Sequence, residues 1–96
     1  MSEIRVIATI ISKDNEIDFV KSAAKSIVDE SNRDEGCIQY ELHQDNKERN
    51  VFVFFEIWKN QESLDKHNET THLKGFIDKI KDKVSLLDVK VMSKIA

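Results

Sequence analysis

Val51-Phe52-Val53-Phe54-Phe55-Glu56-Ile57-Trp58 decides the fold. β-Branched and aromatic residues fill this stretch without a break, so it reads as a strand. Val51, Val53, Phe55 and Ile57 point to one face, and Phe52, Phe54, Glu56 and Trp58 to the other. Apart from Glu56 both faces are apolar, as expected of a strand in the middle of a sheet. The stretch ends in the only tryptophan of the chain, and His67 and His72 follow after a short polar helix start. Any chemistry is expected around this segment.

Working outward, Ile4 to Ile11 is a second β-branched run with both faces largely apolar, hence another central strand. Asp14 or Asn15 can cap the helix that follows. Its apolar stripe, Ile17, Val20, Ala24, Ile27 and Val28, recurs at helical spacing to about Asn32. Gly36 breaks the chain. Cys37 to Asp45 then alternates, with Ile38, Tyr40 and Leu42 on one face and Gln39, Glu41 and His43 on the other. Residues 45–50 form a polar hairpin loop. Asn60 caps a short helix, and Thr70 or Thr71 caps a second piece carrying Leu73, Phe76, Ile77 and Ile80. Leu87, Val89, Val91 and Ile95 alternate with polar residues and predict a half-buried last strand.

The order βαββαβ is that of a ferredoxin-like α+β fold with a four-stranded antiparallel sheet. Its first and third strands lie centrally and its second and fourth at the edges. Helices can cover only one sheet face, yet the central strands offer apolar residues to both. An exposed apolar sheet face is rare on a soluble monomer, so a homodimer packed sheet against sheet is expected.

Composition narrows the function. The 96 residues, 40% of them hydrophobic and 34% charged, suit one soluble domain spanning residues 1–96. The net charge of −3 leaves no basic stripe for phosphates, which disfavours nucleic acid as a partner. No apolar run approaches the roughly 20 residues needed to span a bilayer, so no membrane role is expected. The start, Met1-Ser2-Glu3-Ile4-Arg5, lacks the pattern of a secretory leader. Cys37 is the sole cysteine and cannot form an internal disulfide, which points to the cytoplasm. No glycine-rich phosphate loop or dinucleotide fingerprint is present.

Within the candidate constellation, a carboxylate at Glu56 in an apolar strand is costly unless paired or solvated in a cavity. It reads either as a base with raised pKa or as a satisfied structural acceptor. Trp58 is either plain core or one wall of a pocket whose indole N–H seeks an acceptor. His67 and His72 have the spacing of half a zinc site, but no Cys-x-x-Cys accompanies them. Histidines that cap helices, or a proton shuttle lining a pocket, are the alternatives to a metal set completed by Glu56. His43 is expected to be solvated, and Cys37 to be a small buried filler. Tyr40 is either core or a hydroxyl reaching the pocket.

Glu35-Gly36-Cys37, Tyr40, Phe55-Glu56-Ile57-Trp58, Leu64, His67, Thr71-His72 and Phe76 resemble, in order and spacing, the antibiotic biosynthesis monooxygenase domain. The resemblance covers essentially the whole chain and is closest to small bacterial members similar to quinol monooxygenase. It implies a dimeric α+β barrel that oxidises a small aromatic or quinol-like substrate with dioxygen, without metal, flavin or haem as cofactor. By carry-over, His72, His67 and Glu56 would be catalytic, and Trp58, Tyr40, Phe54 and Phe76 would bind substrate. Either histidine would serve as base, with Glu56 orienting it. The polyketide-oxidising members have Asn and Tyr where this chain has Phe54 and Leu64. The haem-degrading members have Asn and His near the positions of Ile7 and Ile77. Both departures point away from those two chemistries. Two other classes remain open: a non-catalytic small-molecule-binding or stress-associated dimer, and an isomerase or degrading enzyme for a small signal molecule.

Overall fold

The computed structural model describes residues 3–96; the reading of Met1 and Ser2 as part of no leader lies outside the described residues. Four strands, β1 (Ile4–Ser12), β2 (Cys37–Gln44), β3 (Val51–Trp58) and β4 (Val84–Met92), form one antiparallel sheet in the order β2-β3-β1-β4. Helices α1 (Ile17–Ser26), α2 (Val28–Asn32), α3 (Gln61–Asn68) and α4 (Thr71–Ile80) lie on one face. This is the ferredoxin-like α+β arrangement, with the two doubly apolar strands in the centre as expected.

The core forms where the sheet meets the helices. Val6, Ala8 and Ile10 of β1 and Phe52, Phe54 and Trp58 of β3 pack under Val20, Ala24, Leu64, Phe76 and Ile80. Alternation puts Glu56 on this same buried face, at 5% exposure. Two of the proposed caps hold. Asn60 accepts from the Ser63 N–H at 2.9 Å, and the Thr70 hydroxyl accepts from the Leu73 N–H at 3.3 Å.

Three expectations about the helices and β2 are corrected. Neither Asp14 nor Asn15 caps α1, because both sit inside a 3₁₀ turn, Asp14–Glu16, that precedes it. The single helix to Asn32 is two pieces, broken at Ile27, whose N–H bonds the Ala24 carbonyl rather than continuing the ladder. Ile38 does not share the face of Tyr40. Cys37 pairs with Trp58 and Gln39 with Ile57, so Ile38 is the extra residue of a β-bulge and is 53% exposed. Cys37 takes the inward position in its place.

The last strand is less covered than its alternation suggests. Leu87, Val89 and Val91 pair with Ile10, Ala8 and Val6 and face the helix side, yet they are 41–57% exposed. The helical layer leaves this sheet edge open. Ile95 lies beyond β4 and is exposed. Among the described residues no helix is long and apolar enough to cross a membrane.

Candidate active site

Between the sheet and helices α3 and α4 lies a cavity of about 260 Å³. Val6, Ala8 and Ile10 form its floor, while Leu64, Leu73, Phe76 and Ile77 form the helical wall. Its open side runs over Leu87, Val89 and Val91 of β4. Among the described residues the polar lining is confined to Tyr40, Glu56, His67 and Asn68, and no lysine or arginine faces it.

Five of the seven residues read from the sequence, Tyr40, Phe54, Glu56, His67 and Phe76, meet as cavity lining. The Tyr40 ring lies tilted at 5.2 Å from that of Phe54, and Phe54 meets Phe76 edge-on at 5.9 Å. Trp58 is fully buried and does not line the cavity. It supports the two polar groups from behind: its indole Nε1–H donates to Glu56 Oε1 at 2.9 Å, and its ring lies 4.5 Å from that of His67. Burial pushes the Glu56 carboxyl up to about 7, and the indole hydrogen bond only partly opposes this. Glu56 therefore carries a proton for part of the time at neutral pH.

His67 is held on α3 at 2% exposure, and Asp34 Oδ2 lies 2.7 Å from its Nδ1. Burial lowers its pKa, while the hydrogen bond and charge of Asp34 pull the other way. His72 sits elsewhere. It lines a shallow groove outside the cavity with Ile27, Glu30, Thr71 and Lys79, and its Nε2 lies 2.9 Å from the same Asp34 oxygen. The carboxylate that joins the histidines is thus Asp34, whereas Glu56 bonds Trp58.

Asp34 escaped the sequence reading, along with Asn68. It stands 33 residues before His67 and 38 before His72, and nothing local to it shows that reach. The one available signal is its place two residues before Gly36. That glycine has φ 81°, the left-handed region, and turns the chain back into β2 so that Asp34 faces α3 and α4.

The ligand-type atoms of Asp34, His67 and His72 all lie within 4.8 Å of one another, so this trio, rather than one containing Glu56, is the set that could hold a cation. Its donors already satisfy each other through the two carboxylate hydrogen bonds. Cys37 has its thiol pushed up to about 11, chiefly by burial and then by the Glu56 and Asp34 charges, so it is unreactive at neutral pH. Burial likewise raises the Tyr40 phenol, with the Glu56 charge adding to it. His43 lies on the other sheet face, against Phe55 and within 3.2 Å of Glu41.

The family described as antibiotic biosynthesis monooxygenase matches residues 4–79. The chain belongs to this family. A Bacillus subtilis relative, YcnE, named as a monooxygenase on a provisional footing, is 44% identical over 69 residues, covering 71% of this chain and 73% of its own. A crystal structure described as an antibiotic biosynthesis monooxygenase is 28% identical, with a TM-score of 0.91 over 97% of this chain and 99% of the other. PA3566 from Pseudomonas aeruginosa superposes with a TM-score of 0.94 over 100% of this chain and 97% of its own, at 24% identity, a likeness of fold alone. Membership is thus carried by the sequence match and supported by the fold.

Proposed function

We propose that the chain is a monooxygenase that oxidises a small aromatic, quinol-like substrate with dioxygen, without metal, flavin or haem. The observation that carries the reading is the placement of Glu56 and His67 in a cavity whose lining is otherwise apolar apart from Tyr40 and Asn68. His67 takes a phenolic proton from the substrate, and the electron-rich anion lies against Phe54 and Phe76, where dioxygen reacts with it. Glu56, partly protonated at neutral pH, returns a proton to the reduced oxygen. For a hydroquinone the products are a hydroxyquinone and water. One oxygen atom enters a ring C–H bond, the other leaves with the two phenolic hydrogens, and the substrate supplies all four electrons.

The cofactor-free form is supported by the chemistry of the lining, which offers no cationic side chain to a flavin phosphate or a haem propionate. Oxygen uptake with a panel of hydroquinones tests the proposal. Consumption above the buffer rate with at least one of them is expected; none with any of them contradicts it.

One observation favours a second reading, a binding protein without turnover. Glu56 and the Asp34 cluster are already satisfied by hydrogen bonds within the protein. Aromatic ligands would then raise the melting temperature equally in the native chain and in a variant with His67 and His72 both replaced by Ala. Turnover of a small signal molecule without oxygen consumption would point instead to an isomerase or degrading enzyme.

A further inference from the structure

We propose that Asp34 is a positioning residue for His67, held in turn by His72 outside the cavity, and that this cluster fixes the His67 tautomer whose Nε2 is free to act as the base. The inference rests on the oxygenase reading above for its catalytic meaning, but its geometry stands by itself.

A carboxylate accepts hydrogen bonds and cannot donate them, so each ring nitrogen facing it must carry the proton. Asp34 Oδ2 faces His67 Nδ1 at 2.7 Å and His72 Nε2 at 2.9 Å. In neutral His67 the proton therefore sits on Nδ1, and Nε2 keeps its lone pair; no described residue hydrogen-bonds to Nε2. The ring cannot turn over easily, because Trp58 lies 4.5 Å and Tyr40 5.4 Å from it.

Asp34 is itself fixed at both ends. Its N–H donates to the Ser31 carbonyl and its carbonyl accepts from the Cys37 N–H, each at 3.1 Å. Among the described residues no lysine or arginine pairs with its carboxylate, which leaves the two imidazoles as its partners. His72 carries Glu30 3.8 Å from its Nδ1, on the solvent side. The cluster thus runs from the cavity to the surface, and its inner member is the one placed to touch substrate.

Nitrogen-15 NMR of the histidine side chains of the native chain tests the arrangement without any substrate. The expected spectrum has His67 protonated on Nδ1 and bare on Nε2. Asp34→Asn should make the Nε2-protonated form the major one, because the amide can offer an N–H toward Nδ1. It should also lower the turnover number by roughly 10²- to 10⁴-fold with a smaller change in KM. Asp34→Glu should restore the Nδ1-protonated form and part of the rate.

A native His67 protonated on Nε2, or an Asp34→Asn variant with an unchanged tautomer, overturns the proposal. If Asp34→Asn fails to fold, the native spectrum alone still decides. The expected tautomers with no oxygen uptake in any form would leave the positioning in place and remove the oxygenase reading.

Discussion

Glu56 is 5% exposed, and its carboxyl titrates near 7 in the fold against about 4.5 in an unfolded chain, so it resists ionisation where the unfolded chain does not. Between those values the folded state binds more protons than the unfolded one, so stability falls as pH rises through this window. Glu56→Gln keeps an oxygen for the Trp58 indole and has nothing to ionise. Denaturant titrations at pH 5 and pH 8 should show the native chain losing on the order of 3 kcal/mol relative to this variant. Equal pH dependence in the two would show that Glu56 is not desolvated. At this scale the sequence was half legible. Strand alternation placed Glu56 beside Trp58 because period-two geometry is local. The partnership of Asp34 with two histidines arises from tertiary packing, and its one local mark is the place of Asp34 two residues before Gly36.

At the scale of elements, the turn from α2 into β2 carries most of the site's precision. Gly36 adopts a left-handed conformation and presses against α3, where an added Cβ would collide with the Ser63 side chain. Gly36→Ala meets both a backbone and a steric penalty, and a destabilisation of about 2 kcal/mol or more is expected in thermal or denaturant unfolding. An unchanged midpoint would mean that the turn can relax freely. The element order was readable because the strands and helices have strong, distinct periods. The bulge at Ile38 was not, since an extra residue in a strand looks like ordinary alternation until its partner is known. The exposed β4 has a similar cause: its pattern records which side faces inward, and the reach of the helices decides how much is covered.

For the whole molecule, the sheet face opposite the helices remains open. It presents Ile7, Ile11, Val53, Phe55 and Ile57 together with Leu86 and Met92, and Phe55, Leu86 and Met92 are 38–43% exposed. Such a patch favours a two-fold dimer packed face to face. Sedimentation at micromolar concentration should give a dimer, and Phe55→Glu, which puts a charge in mid-face, should shift it to monomer. A native monomer at that concentration contradicts this. The central claim, that the cavity inserts one oxygen atom from dioxygen through the His67 base, is tested most directly by turnover of a hydroquinone under oxygen-18 gas, with product mass measured at once. One labelled atom is expected in the hydroxyquinone from the native chain, with a rate reduced by roughly 10²-fold or more in His67→Gln. An unlabelled product, or label appearing equally fast in His67→Gln, would contradict it.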